Sequence, residues 1–124
     1  MKDQTDRRWT EAGGDFQVPF LLAARQVLGG MPVRCPRCGE ADLRYYFHAM
    51  KPALGQGTLW VWCPACRTKC HLPRITPAAV PQSDPFAALS LEQFAELEVS
   101  GPGTFQDKLD RLWNDGFLRP TTTA

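Results

Sequence analysis

The sequence predicts one α+β domain spanning residues 1–124, in which a small three-stranded sheet packs against one helix before it and two after it. Two Cys-x-x-Cys pairs lie on either side of a strand-like segment. Glycine and proline divide the rest of the chain into short elements, and its last third carries two capped, amphipathic helix patterns. A length of 124 residues is typical of one domain with a modest core.

The N-terminal helix is predicted over residues 15–30, after a polar and flexible start at residues 1–14. Asp15 can accept hydrogen bonds from the first free backbone N–H groups, and Pro19 is tolerated near a first turn. Gly29 and Gly30 follow the helical stretch 17–28, and glycine readily adopts the left-handed conformation of a helix end.

Three extended segments follow, at residues 43–48, 58–62 and 68–74. In the first, Leu43, Tyr45 and Phe47 alternate with more polar residues, as in a strand with two different faces. The second, TLWVW, is apolar at successive positions, which predicts a middle strand covered on both sides. In the third, Cys70 and Leu72 share one face, and His71 lies on the other.

The C-terminal third is predicted to hold a proline-rich linker at residues 75–89, a helical pair at 90–118 and a loose tail at 119–124. Ser90 and Gln93 match a capping box that starts a helix over residues 91–98. Thr104 caps a second helix, and Gly116 stands just past its end.

Four cysteines form the strongest functional signal. Cys35 and Cys38 make one pair, Cys63 and Cys66 make the other, and 24 residues separate the two pairs. Each pair places two sulfurs on one tight turn, so that two turns supply four ligands to a metal ion. Five cysteines, an odd number, suit a metal site in a reducing compartment better than a disulfide framework. A thioredoxin-like dithiol lacks its expected βαβ context.

Cys35-Pro36-Arg37-Cys38-Gly39 and Cys63-Pro64-Ala65-Cys66, with an aromatic strand between them and another strand after them, resemble the zinc ribbon family. The resemblance covers residues 33–74, about a third of the chain, and Arg67 stands where the family usually has glycine. It implies a three-stranded antiparallel sheet held by one structural Zn²⁺ and used mostly to bind nucleic acid or protein. The paired cysteines also resemble rubredoxins, which makes iron and electron transfer the minor alternative.

Cys70 and His71 follow the second pair closely. Cys70 can replace Cys66 as the fourth ligand, act as a reactive thiol, or pack as a small apolar residue; we favour packing, because Cys70 alternates in register with Leu72. His71 is expected to face solvent or to support the site rather than bind the metal directly.

Charge is segregated along the chain. From residue 34 to 74 seven basic residues stand against two acidic ones, a formal charge of +5, whereas from residue 75 onward three stand against seven, a formal charge of −4. Zn²⁺ with four thiolates would lower the first value to about +3. Either the two halves attract each other, which we favour, or the basic half contacts an anionic partner through Arg34, Arg37, Arg44, Arg67, Lys69 and Arg74.

The aromatic residues of the middle strand allow two interpretations. Trp60 and Trp62, with Tyr45 or Tyr46 across from them, have the composition of a platform for stacking single-stranded bases. Alternatively, the amphipathic helices cover this face. We favour the covered face, since both sides of the strand are apolar.

The sequence indicates a non-catalytic protein that binds a protein partner, such as a small bacterial immunity or antitoxin-like protein or a regulatory adaptor. No catalytic motif can be assembled around its two histidines. The alternative is a nucleic-acid-binding zinc ribbon. With no signal-like or membrane-length apolar segment, a cytoplasmic location without a membrane partner is expected.

Overall fold

The computed structural model describes residues 9–29, 31–51, 56–75, 86, 89–98 and 104–118. The elements in chain order are β1 (Thr10–Glu11), a 3-10 turn (Gly14–Phe16), α1 (Gln17–Leu28), β2 (Arg44–Lys51), β3 (Gln56–Trp62), β4 (Thr68–Ile75), α2 (Leu91–Glu98) and α3 (Thr104–Asn114). The protein is thus α+β, and within these residues no helix is long and apolar enough to cross a membrane.

The sheet has four strands in the order β1-β4-β3-β2, one more than predicted. The three expected strands are antiparallel neighbours, with Tyr46 opposite Trp60 and Val61 opposite Cys70. The prediction of a purely antiparallel, three-stranded sheet was wrong because β1 adds a parallel pairing, Thr10 to Thr68. Two residues in a polar segment carry no strand periodicity, so that only the presence of β4 makes them a strand.

Strand β3 separates two apolar cores, which confirms the prediction that it is covered on both faces. On one side α1 packs over the sheet; this α1-side core contains Phe20, Ala23, Ala24, Val27, Leu43, Tyr45, Leu59, Val61 and Cys70. On the other side α3 does so; this α3-side core contains Trp9, Tyr46, Trp60, Trp62, Phe86, Phe105, Leu109 and Leu118.

The start of α2 and the end of α3 follow local rules, whereas both ends of α1 depart from the expectation. Ser90 and Gln93 form a reciprocal capping box with bonds of 2.9 and 3.1 Å. Gly116 follows α3 with φ of +89°, and the bonds from its N–H and that of Phe117 close a Schellman motif. Asp15 lies in a 3-10 turn before α1 and does not cap the helix. Gly29 ends α1 with φ of −80°, outside the left-handed region expected there.

Several predicted segments lie partly or wholly outside the described residues. They are residues 1–8 of the expected flexible start, Gly30, residues 52–55 of the expected zinc ribbon, residues 76–85 and 87–88 of the expected linker, residues 99–103 of the expected helical pair, and the tail at 119–124. Two described residues of these predicted segments are buried: Trp9 in the expected flexible start and Phe86 in the expected linker. Both belong to the α3-side core, so these two positions contribute to packing.

Replacing Gly57 with alanine is expected to destabilise the sheet. Gly57 pairs with Ala49 and Ile75 inside β3, and an added Cβ would lie 2.1 Å from the His48 carbonyl oxygen and 2.7 Å from Phe47 Cζ. The backbone would have to shift to relieve contacts this short, and overpacking of this kind lowers the free energy of unfolding by about 1–3 kcal/mol or more. Urea unfolding of the metal-loaded protein measures the loss.

Gly13→Ala is the control for this substitution, since nothing lies within 4 Å of the corresponding Cβ position. If Gly57→Ala unfolds at the same urea concentration as Gly13→Ala, the close pairing of β2 with β3 at Gly57 is incorrect.

Candidate metal centre

The two cysteine pairs lie on turns of the same design at one end of the sheet. The Gly39 N–H donates to the Cys35 carbonyl at 2.9 Å, and the Arg67 N–H donates to the Cys63 carbonyl at 3.0 Å. Both closing residues adopt positive φ, +68° for Gly39 and +57° for Arg67. Arg67 therefore takes the conformation for which glycine is the usual residue, at a cost of about 1–2 kcal/mol.

The four sulfurs converge on one point. Cys35 Sγ lies 3.7 Å from Cys66 Sγ, Cys38 Sγ lies 3.6 Å from Cys63 Sγ, and all four lie within 4.8 Å of one another. A tetrahedron of thiolates about 2.3 Å from a central ion has edges of about 3.8 Å. The same separations are far longer than a disulfide bond of about 2.05 Å. The four cysteines are positioned to bind a metal ion.

Backbone N–H groups point at these sulfurs from within each turn. Arg37 N–H donates to Cys35 Sγ at 3.3 Å, Glu40 N–H to Cys38 Sγ at 3.4 Å, and Ala65 N–H to Cys63 Sγ at 3.4 Å. Such bonds favour the charged thiolate over the neutral thiol. The turns thus supply part of the charge stabilisation that a metal-bound thiolate needs.

Burial and hydrogen bonding shift the pKa values of Cys35, Cys63 and Cys66, and the net direction differs among them. Desolvation by burial raises the pKa of Cys63, which is fully buried.

 Desolvation by burial also raises the pKa of the Cys35 thiol. At Cys66 burial acts in the same direction, but hydrogen bonds with Thr68 and the neighbouring cysteines outweigh it and lower the pKa. Metal binding must therefore displace protons from the buried thiols.

Cys70 and His71 lie apart from the four converging sulfurs. Cys70 is buried in the α1-side core, where desolvation raises the pKa of its thiol. His71 lies on the opposite face, stacked on Trp60 with ring centroids 4.5 Å apart, and its Nε2 contacts the Thr58 hydroxyl. His71 as a whole is exposed, and the partial desolvation of its ring lowers its pKa. Neither residue belongs to the group of ligand atoms that lie together in the described part of the chain.

The basic residues around the turns pair with acidic groups of the same chain. Arg44 bonds Asp110 of α3 at 2.8 Å, and Arg67 bonds Asp107 of α3 at 2.8 Å. Lys69 pairs with Glu11 of β1. These contacts agree with the favoured expectation that the basic and acidic halves attract each other.

The two remaining arginines of this group with described side chains also find partners within the chain. Arg34 lies 3.8 Å from Asp42 in an exposed pair. Arg37 donates to the Thr68 hydroxyl at 3.1 Å, and its guanidinium lies 5.4 Å from the centre of the Phe16 ring. The side chain of Arg74 lies outside the described residues.

The aromatic face of β3 is covered, as favoured from the sequence. Trp60 is 5% exposed and Trp62 is fully buried. Phe105 of α3 meets Trp60 edge-on at 5.2 Å, and Asp110 accepts a hydrogen bond from the Trp62 indole at 2.8 Å. The stacking platform considered for single-stranded bases is therefore part of the core.

Trp9 is a structural residue that the sequence analysis did not single out. Its indole donates to Asp107 at 2.7 Å, and the Arg67 guanidinium lies 4.2 Å from the centre of its ring, in the range of a cation–π contact. One carboxylate thus joins the N-terminal segment, the second cysteine turn and α3. Trp9 and Asp107 are 98 positions apart in the chain, so no local sequence signal marks the contact.

Comparison with protein-family models, with curated proteins and with solved structures gave no match. The interpretation of the site therefore rests on its residues and their geometry.

Arg67 provides a test of the turn geometry. We expect Arg67→Ala to be less stable than Arg67→Gly by about 1 kcal/mol, because both lose the contacts with Trp9 and Asp107 but only alanine keeps the cost of positive φ. Urea unfolding of the two metal-loaded variants measures the difference directly.

Arg34→Ala serves as the surface control for this pair, since its ion pair with Asp42 is exposed on both sides and such pairs contribute about 0–1 kcal/mol. Equal stability of the alanine and glycine variants at position 67 would contradict the positive φ.

Proposed function

We propose that the four cysteines hold one structural Zn²⁺ and that residues 33–74 form a zinc ribbon. Four thiolates close a tetrahedral site and leave no position for water or substrate, whereas a catalytic zinc keeps one position open. The sulfur separations of 3.6 and 3.7 Å support this ligand set. Zinc bound here would stabilise the fold, because unfolding would separate the two turns.

Iron is the competing metal, since it also accepts four thiolates. Elemental analysis and an absorption spectrum of the purified protein separate the two. A colourless protein with about one zinc per chain supports the proposal, and a red protein containing iron overturns it.

On this scaffold, the function that we propose is non-catalytic binding of a protein partner. Both faces of the sheet are filled by the protein's own helices. The observation that carries the proposal is that, among the described residues, four large apolar side chains nevertheless remain exposed. Val18, Leu22, Met31 and Phe117 are each 58–61% exposed. Exposed apolar surface of this kind is typical of interaction sites when it is contiguous.

Nucleic-acid binding has less support from the same contacts. Arg44 and Arg67, which would have to contact phosphates, already bond the carboxylates of α3. Trp60 and Trp62, which would have to stack on bases, are buried. A protein that binds nucleic acid through phosphates is retained on heparin and released steeply by salt, so passage through heparin at low salt is the expected result.

The proposal is tested by affinity capture with the metal-loaded protein, followed by reconstitution of the complex from purified components. We expect one partner at fixed stoichiometry. Recovery of the tagged protein alone under several growth conditions, or retention on heparin with a steep salt dependence, would count against the proposal.

A further inference from the structure

Helix α1 has two distinct sides. Phe20, Ala23, Ala24 and Val27 are buried against the sheet. At 100° per residue, Val18, Leu22 and Arg25 fall together on the opposite side. Val18 is 61% exposed and Leu22 is 59% exposed. Their spacing of four residues makes them neighbours on the helix surface, and this outward stripe is apolar where a solvated helix face is normally polar.

A third exposed apolar residue, Met31, lies just beyond the end of α1. Its N–H donates to the Gln26 carbonyl at 3.1 Å, so the chain folds back against the last turn of the helix. Met31 is 60% exposed. Together Val18, Leu22, Arg25 and Met31 define what we call the α1 outer face. Methionine suits such a surface because its flexible side chain adapts to the shape of a partner.

The α1 outer face carries one positive charge, that of Arg25. Arg25 is exposed and α1 contains no acidic residue. None of the ion pairs among the described residues includes Arg25. By contrast, Arg34, Arg44 and Arg67 each pair with a carboxylate of the same chain. The α1 outer face thus combines apolar side chains with one cation that has no carboxylate partner in the described part of the chain.

We propose that the α1 outer face docks an amphipathic helix of a protein partner whose apolar stripe is flanked by carboxylates. The Val18–Leu22 ridge fits the groove of a second helix, because side chains four residues apart form the ridges along which helices pack. A flanking carboxylate supplies the counterion for Arg25 and favours this partner over a basic one. This inference rests on the proposed protein-binding function and names the surface and the chemistry of its partner.

A membrane surface and a second copy of the chain are less suitable occupants. Interfacial membrane helices carry several cations on their polar face, whereas α1 carries Arg25 alone and its other side is packed on the sheet. A second copy placed helix to helix would bring two Arg25 side chains into the same interface without a carboxylate from α1.

The test uses the full-length, metal-loaded protein and a synthetic helical peptide with leucines at i, i+3, i+4 and i+7 flanked by glutamates. Fluorescence anisotropy of the labelled peptide measures the binding. We expect the glutamate peptide to bind and its lysine counterpart to bind at least about 10-fold more weakly. Val18→Ser combined with Leu22→Ser is expected to weaken binding about 10-fold or more.

Arg25→Glu provides the specific test, since it is expected to weaken binding of the glutamate peptide and to strengthen binding of the lysine peptide. Phe117→Ser is the matched control: Phe117 is 58% exposed but follows α3, so its loss should leave peptide binding unchanged. Circular dichroism and metal content verify that every variant is folded.

The inference is overturned if the glutamate peptide does not bind, if binding ignores the substitutions at Val18 and Leu22, or if Arg25→Glu leaves the peptide preference unchanged. It is also overturned if Leu22 is required for binding to vesicles of phosphatidylserine and phosphatidylcholine, or for self-association measured by light scattering, and not for peptide binding. A partner captured equally well by the Val18→Ser, Leu22→Ser variant leaves the proposed function standing and removes only this surface. Absence of both a captured partner and peptide binding removes both.

Discussion

Cys63→Ser is expected to abolish metal binding and the folded sheet together. Cys63 is fully buried, its sulfur lies 3.6 Å from Cys38 Sγ, and its backbone pairs with Thr68 at the start of β4. With three thiolates left, the ion loses a ligand and the turn loses its tie to the first pair. Binding of a structural zinc contributes about 10 kcal/mol or more to folding in small zinc proteins, which exceeds the whole stability of many domains.

Cys70→Ser is the matched control for this prediction. Cys70 is also buried, in the α1-side core, but lies outside the group of converging sulfurs. We expect it to retain one metal ion per chain, with a loss of stability of about 1–3 kcal/mol from burying a hydroxyl in an apolar core. Elemental analysis, near-ultraviolet circular dichroism and thermal unfolding report on both variants. Loss of the metal from Cys70→Ser would show that the ligand set is wrong.

Removal of the metal from the natural protein is expected to reproduce the effect of Cys63→Ser. A chelator should abolish the near-ultraviolet signal of the packed tryptophans, and added zinc should restore it. A chelated protein with an unchanged thermal transition would mean that the two apolar cores hold the sheet without help from the cysteine turns.

Trp62→Ala is expected to destabilise the protein by about 3–5 kcal/mol, the usual cost of deleting a large buried aromatic side chain. Trp62 is fully buried, contacts Trp113 edge-on at 6.2 Å and donates a hydrogen bond to Asp110. Its loss removes both apolar packing under α3 and one of the bonds that attach α3 to the sheet. Urea unfolding of the metal-loaded protein measures the change.

Trp62→Phe separates the two contributions, because it keeps an aromatic ring and deletes the indole N–H. We expect a smaller loss than for Trp62→Ala, since Asp110 retains its bond with Arg44 and a single hydrogen bond contributes about 0.5–1.5 kcal/mol. Equal and small effects of both substitutions would indicate that α3 does not cover this face of the sheet.

Local sequence signals predicted most of the elements because their causes are local. The alternation of Tyr45 and Phe47 with Arg44 and Tyr46, the capping box at Ser90 and the glycine after α3 each act within a few residues. Apolar residues on both sides of β3 require two covering layers whatever those layers are. The cysteine pairs likewise carry their turn geometry with them.

The contacts between distant segments were beyond prediction from any local pattern. Strand β1 exists only because β4 offers it a free edge, and Gly57 lies inside β3 rather than in the preceding turn because its backbone pairs on both sides. Asp107 joins Trp9 and Arg67 across most of the chain. The distribution of charge along the sequence indicated that the basic segment 34–74 and the acidic segment after it attract each other, but it did not indicate which carboxylate pairs with which arginine.

The sequence by itself determined that four cysteines on two tight turns can hold a metal and that the middle strand must be covered on both faces, since residue type and short-range spacing suffice for both. Only the tertiary structure decided what covers the strand, which arginines are already neutralised, and that Val18 and Leu22 remain outside. Those outcomes depend on which surfaces meet when the helices pack on the sheet, and residues far apart in the chain determine that packing.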